Sequence, residues 1–333
     1  MEDAAAQRRA VLNGVKLRAL SGASGEADVF GSGAALVDGD RAWVLVDDAP
    51  ERRLGAALAW ALRHGATRLD VVADRGTGVL ARRAAEFAFP VAVWHVDGRD
   101  LIQAVPEPFP EVPALPAHHE PFRELIAAGG AVPLVEGGVL VGEIAGLEVC
   151  RVVDDAHDGT TRLEVGVGAH DREAFQMLHG DVPTADSLAR IVATVAEHRR
   201  EGAASHPLNR LAAERLLRWR LEQDPGLVAA TELNPAEPPV PRPNLKDPVP
   251  CVAVGTAATG EPLLVVCSTG VELDVIPYAA DARRAHEVRR PGVGEGAGAR
   301  VVVVTPSRDR LPVVERIAGL LAEGVQFAAL DVP

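Results

Sequence analysis

One order of elements is written twice in this chain, once near each end, and that order limits the fold more than any motif does. In the first half, an apolar run at 42–47 is followed by a helical stretch at 54–64, a run at 69–73, a helix around 79–88 and a run at 91–96. In the second half the order is a run at 262–267, a helical stretch near 276–286, a run at 300–305, a helix at 311–322 and a run at 325–330. Leu54, Ala57, Leu58, Ala61 and Leu62 recur at helical spacing, whereas Trp43, Val44, Leu45 and Val46 form a short continuous run suited to a strand covered on both faces. Residues 31–46, with Asp38-Gly39-Asp40 between apolar runs, read as a hairpin entering that strand. Residues 258–261 form the equivalent turn near the C-terminus.

Two proline clusters divide the chain. Pro106, Pro108, Pro110, Pro113 and Pro116 make one, and Pro235, Pro238, Pro239, Pro241, Pro243, Pro248 and Pro250 the other. Closely spaced prolines fix φ and remove amide donors, so both read as extended linkers. The blocks expected are an α/β domain at 1–104, a linker at 105–117, a central α+β segment at 118–205, a helical connector at 206–234, a linker at 235–249 and a second α/β domain at 250–333. The expected fold class is therefore α/β and α+β, with two related two- or three-layer half-repeats around a central segment. In that segment Gly137, Gly138 and Gly142 punctuate apolar runs that predict antiparallel strands, and 162–167 reads as one more strand. A helix follows, with Thr184 as N-cap, Asp186 in its first turn and Leu188, Ile191, Val192 and Val195 on one face. A second helix is expected over 208–223, with Leu208, Ala212, Leu216 and Trp219 on one side and Leu217 and Leu221 on another. Apolar surface on more than one side predicts burial between domains or subunits.

At 333 residues and 47% hydrophobic content the chain can bury a substantial core. Its net charge of −13 repels polyanions, so sequence-independent nucleic-acid binding needs a local basic face. Cys150, Cys251 and Cys267 lie far apart with no C-x-x-C pair, which argues against a zinc knuckle, a thioredoxin-like site or a secreted disulfide framework. Residues 1–9 are acidic first and hold no apolar stretch of signal-peptide length, and no run approaches the ~20 apolar residues of a membrane span. A soluble cytoplasmic protein is expected. The 4% aromatic content and single Tyr match the residue usage of high-GC bacterial genomes, a genomic bias without functional meaning.

The order hairpin, strand, helix, strand, helix, strand at both ends resembles the later part of the restriction-endonuclease-like fold of the PD-(D/E)xK nuclease superfamily. In the last block, residues 208–223 and 228–233 would supply that fold's opening helix and first strand. The resemblance covers roughly half the chain and is topological. It implies an acidic residue at the end of one hairpin strand and an acid-x-Lys on the next, because two carboxylates hold Mg²⁺ while the lysine steadies the attacking water. The matching strands end in Val46-Asp47-Asp48-Ala49 and Val266-Cys267-Ser268-Thr269. Neither has the lysine, and the second has no carboxylate, so the resemblance implies two degenerate copies. The expectation is a non-catalytic binding or scaffold protein that acts through a protein partner or self-association.

The densest polar cluster lies between the copies: Asp154-Asp155-Ala156-His157-Asp158, then Glu164, His170-Asp171 and His179. Carboxylates and imidazoles exchange protons near neutral pH and hold divalent metals. Glu164, His170 and Asp171 as catalytic groups, with Asp155 on a metal, define a competing expectation, a metal-dependent phosphoesterase or nuclease. The plainer reading makes 154–159 a solvated turn and Asp171 a helix-terminal acid. A divalent metal is the one cofactor this cluster admits. Gly166-Val167-Gly168 lacks the third glycine of a dinucleotide loop, Asp171 standing there, and Gly292, Gly294, Gly296 and Gly298 have no Lys-Ser/Thr after them. Arg283, Arg284, Arg289 and Arg290, and likewise Arg52, Arg53, Arg82 and Arg83, are candidate anion or nucleic-acid contacts. Asp281 and Glu287 dilute the first group and Glu51 and Glu86 the second, which favours solvated helix faces. No G-x-S-x-G occurs, and no cysteine has the surroundings of an activated nucleophile.

Overall fold

The computed structural model describes residues 2–155, 157–169, 171–173, 185–200, 202–204, 206–241, 249–289 and 298–331. Helix α1 (Glu2–Ser21) leads into strands β1 (Asp28–Phe30), β2 (Gly33–Asp38) and β3 (Arg41–Val46). Then come α2 (Leu54–Arg63), β4 (Arg68–Ala73), α3 (Thr77–Ala84), β5 (Val91–Asp97) and β6 (Asp100–Gln103). The middle of the chain forms α4 (Phe122–Ala128), β7 (Val132–Glu136), β8 (Val139–Ile144), β9 (Leu147–Asp154), β10 (Thr161–Val165), α5 (Ala185–Arg199), α6 (Pro207–Arg210) and α7 (Ala213–Gln223). The last part holds β11 (Ala230–Ala236), β12 (Cys251–Ala257), β13 (Pro262–Cys267), α8 (Val275–Arg289), β14 (Arg300–Thr305), α9 (Pro312–Ala318) and β15 (Gln326–Ala329). Mixed sheets interleaved with helices and one antiparallel sheet make this an α/β and α+β protein. Contiguous blocks were expected, and each end block and the central block contributes one sheet. The compact units cut across them: Met1–Phe109, Val271–Val293 and Arg310–Gln326 form one, and Pro110–Gly270, Gly294–Asp309 and Phe327–Pro333 the other.

In the first unit, six strands run in the order β1-β2-β3-β4-β5-β6. The first three form an antiparallel meander, β3, β4 and β5 are parallel, and β6 turns back antiparallel on β5. Helix α1 seals one face, where Leu17 packs with Ala34, Leu36, Trp43, Leu45 and Val72. It stops where Gly22, at φ 67°, returns its N–H to the Arg18 carbonyl. Residues 2–21 were not anticipated as a helix, because their apolar side chains do not gather on the inner face: Val11, Leu12 and Val15 remain exposed. Buried Asp70 on β4 takes both arms of Arg41, at 2.5 and 2.6 Å, and the Trp94 indole N–H at 2.6 Å. That fully bonded carboxylate is structural.

Helices α2, α3, α8 and α9 pack in the same unit: α8 lies against α2, α3 and α9, and α9 against α2. Where α3 and α9 end, Phe87 and Leu321 form an antiparallel bridge. Ala88 donates to the Leu320 carbonyl at 2.9 Å and Ala322 to the Glu86 carbonyl at 3.0 Å. The approach is close at α2 too, since a Cβ on Gly55 would stand 2.1 Å from the Leu273 carbonyl oxygen. Gly55→Ala is therefore expected to cost about 1–3 kcal/mol by forcing backbones apart. A lowered urea midpoint at constant m would show it, and an unchanged midpoint would refute it.

Arg82 and Arg83, expected on solvated helix faces, are instead buried. Arg82 contacts Asp281 of α8 through Nε at 2.8 Å and Nη2 at 3.2 Å, and Arg83 through Nε at 3.1 Å, while Asp281 has no exposed surface. Arg82 also donates to the Glu107 and Pro108 carbonyls and lies over the Phe109 ring, and Arg83 donates to the Glu51 carbonyl. The expected dilution of Arg283 by Asp281 does not operate, because Asp281 is committed to α3.

The second unit holds an antiparallel sheet in the order β10-β9-β8-β7 and a mixed sheet in the order β11-β12-β13-β14-β15. In the latter, β11, β12 and β13 are antiparallel and β14 runs parallel to β13. Leu188 and Val195 of α5 pack with Ile126, Leu140, Leu147 and Val149. Leu217 and Leu221 of α7 pack with Leu263, Val265, Val302 and Val304. The continuous helix expected over 208–223 breaks at Leu211 and Ala212, the latter at φ 46°. The cause is Arg199, 1% exposed, whose guanidinium takes the carbonyls of Leu208, Leu211 and Ala145. A carbonyl engaged by that cation no longer needs the amide one turn ahead. The other side of α7 is buried through charge, Arg215 on Glu136 and Glu143, and Arg218 on Glu143 at 2.8 Å.

Candidate functional site

The proline-rich segment ends in a turn of 3-10 helix, Ala117–His119, which presents two consecutive imidazoles to the last residue of β9. His118 Nε2 lies 3.0 and 3.1 Å from the two carboxylate oxygens of Asp154, and His119 Nε2 lies 3.0 Å from Oδ1. Thr161, opposite Asp154 on β10, donates its hydroxyl to the same Oδ1 at 2.7 Å. The rings meet edge to face with centroids 4.6 Å apart. His119 is held by burial, its side chain 6% exposed, whereas His118 at 57% and Asp154 at 44% face solvent. The Thr161 hydroxyl, followed by His119, holds the Asp154 carboxyl down at about 2, against the opposing effect of burial. His118, His119 and Asp154 are the one set of three or more His, Cys, Asp or Glu among the described residues whose ligand atoms all lie within 4.8 Å of one another.

The residues singled out in the sequence are placed differently. Asp155 accepts the His157 amide at 2.8 Å and pairs with Arg162, and these two contacts hold its carboxyl below the ordinary range. Glu164 lies 3.2 Å from Arg162 and 3.5 Å from Arg172. Arg162 thus brings Asp155 and Glu164 together and itself supplies the positive charge expected of a metal. Asp171 is exposed on a helical turn. His170, His179, Thr184, Arg290, Gly292, Gly294 and Gly296 lie outside the described residues. Gly166 explains its own presence: a Cβ there would stand 2.8 Å from the Arg172 amide, so the glycine admits a close crossing of chain.

Among the described residues, most of the expected arginines are engaged within the protein, while Arg53 is exposed. Arg283 is buried, with Nη1 3.3 Å from the Glu323 carbonyl and 3.4 Å from its carboxylate, and exposed Arg284 pairs with Glu287 at 3.2 Å. Arg289 is half-buried and engaged. The sheet ends make contacts of their own. After β3, Asp47 faces Arg9 and Asp48 faces Arg75, each at 4.0 Å. After β13, Ser268 donates its amide to Val304 at 3.0 Å and Thr269 donates its hydroxyl to Glu214 at 2.7 Å. Cys267 stands opposite Cys251 across β12 and β13, a pairing that sequence distance conceals, and both are buried free thiols. Burial, reinforced by Cys251, drives the Cys267 thiol well up, and burial pushes Cys150 up to about 12. Neither is poised as a nucleophile. No family model, no curated protein and no solved structure matches this chain.

Proposed function

We propose that this chain is a non-catalytic binding or scaffold protein, built from two related half-domains of degenerate nuclease-like order, that works through a protein partner or self-association. What carries the reading is the use made of the sheet ends. The positions where the resembled fold keeps its metal carboxylates hold acids 4.0 Å from exposed arginines after β3, and a buried thiol and a hydrogen-bonded Thr269 hydroxyl after β13. The kinship of the halves is supported by the reciprocal bonds of 86–88 with 320–322. The same interval along the chain separates 86 from 320, 87 from 321, 88 from 322, and the run at 91 from that at 325. The two bonds therefore exchange into each other when 86–88 and 320–322 are swapped. The exposed stripe Val11, Leu12 and Val15 fits an interaction protein better than a self-contained enzyme.

Incubating the full chain with supercoiled DNA, single-stranded RNA and a chromogenic phosphate ester, in Mg²⁺ or Mn²⁺, is expected to give no turnover above buffer. Metal-dependent cleavage that disappears in the Asp47→Asn, Asp48→Asn double variant would sink the proposal.

A further inference from the structure

We infer that His118, His119 and Asp154 form a binding site for one divalent transition-metal ion of the borderline class, such as zinc, cobalt or nickel, with water completing the coordination. Two imidazoles and one carboxylate are a donor set that such ions favour, whereas Mg²⁺ and Ca²⁺ prefer oxygen alone. Metal–donor bonds of about 2.0–2.2 Å in a tetrahedron set neighbouring donors roughly 3.3–3.5 Å apart. Both Nε2 atoms already stand close to that spacing from Oδ1, at 3.0 Å, and the three ligand atoms lie within 4.8 Å of one another. A shift of a few tenths of an ångström opens the centre.

The Asp154 carboxylate gathers three side chains at once, His118 on both oxygens and His119 and the Thr161 hydroxyl on Oδ1. A cation between the imidazoles and the carboxylate turns two of these crowded contacts into ligands and leaves the Thr161 bond to orient Asp154, the part outer partners play around metals. His119 is fixed in place by burial. The exposed sides of His118 and Asp154 leave a solvent-facing position for water. Asp155, next in sequence, is already neutralised by Arg162 and does not compete for the ion. The bound ion would tie the end of the proline-rich segment to the β9–β10 hairpin, 35 residues away along the chain.

The test uses the full chain stripped with a chelator and titrated with Co²⁺ while visible absorption is followed, then displaced with Zn²⁺. One saturable equivalent per chain is expected, with affinity at least tenfold weaker in both His118→Gln and Asp154→Asn. His118 is exposed, so its replacement leaves the fold in place, which an unchanged circular dichroism spectrum verifies. Absence of saturable Co²⁺ binding, or binding as tight in both variants as in the wild type, overturns the site. Equal competition by Mg²⁺ overturns the assignment of metal class.

Discussion

Asp281→Asn is expected to destabilise the protein by about 3–5 kcal/mol, because it leaves two buried guanidinium groups without their carboxylate. Arg82 and Arg83 are 6% and 3% exposed, and both point at an acid with no exposed surface. The carbonyls of Glu51, Glu107 and Pro108 solvate the pair only in part. The loss should appear as a drop of roughly 6–15 °C in the thermal midpoint. In an Arg83→Met background the same change should cost less, by about 0.5–3 kcal/mol, since one stranded charge has gone. A cost of under about 1 kcal/mol for Asp281→Asn alone, or an equal cost in both backgrounds, would show that the ion cluster does not fix this helix contact.

The cluster also carries specificity on the reading proposed above. Arg316 and Ile317 stand at the interval that equates them with Arg82 and Arg83, and there the first is exposed and the second buried and apolar. Buried charges therefore occur on one side only of an otherwise exchangeable contact. On that reading, pairing two first halves would bury the arginines without the acid of α8, leaving Arg82 only Glu107 at 3.9 Å, so the cluster would select unlike halves and penalise like ones.

The second large effect concerns Asp274, which accepts the Gly55 amide at 3.1 Å and ties the start of α8 to the start of α2. Burial lifts its carboxyl from 3.8 to about 7, with Glu272 adding to the rise and the Gly55 bond, Arg83 and Arg53 opposing it. The sign follows from linkage. Between the unfolded and folded values the native state holds a proton that the unfolded chain has released, so stability falls as pH rises from about 4 to about 7 and then levels off. Asp274→Asn keeps an acceptor for Gly55 and removes the titration. Its stability relative to wild type should therefore improve by about 2–4 kcal/mol between pH 4.5 and pH 8, as measured by urea unfolding. The same difference at both pH values would refute a buried, proton-holding Asp274.

Strands were legible wherever burial on both faces produced continuous apolar runs, as in 42–46 and 300–305, because that pattern is local. Helix α1 was not, since its sequence lacks a clear apolar face, and the break at Ala212 was not, since Arg199 imposes it from another helix. The His118, His119 and Asp154 cluster was less legible for one reason: it is made by distant segments. His118 and His119 meet Asp154 through closure of a sheet hairpin onto a proline-rich turn, and the consecutive histidines were the available signal. Asp155 reads as a metal ligand and Glu164 as a catalytic group, and the cation across from both is Arg162. Arg82 and Arg83 read as solvated because the acid that buries them lies 199 and 198 residues further on.

The discontinuous unit has a consequence for biosynthesis. Its N-terminal part, Met1–Phe109, leaves the ribosome long before Val271–Val293 and Arg310–Gln326, which complete it. Until residue 281 emerges, Arg83 lacks its acid, Arg82 has only Glu107 at 3.9 Å, and the Phe87 edge has no Leu321 to bridge. The first sheet must therefore wait, with one helical face uncovered, through the translation of most of the second unit, and this interval is where a nascent chain of this design most needs chaperone protection.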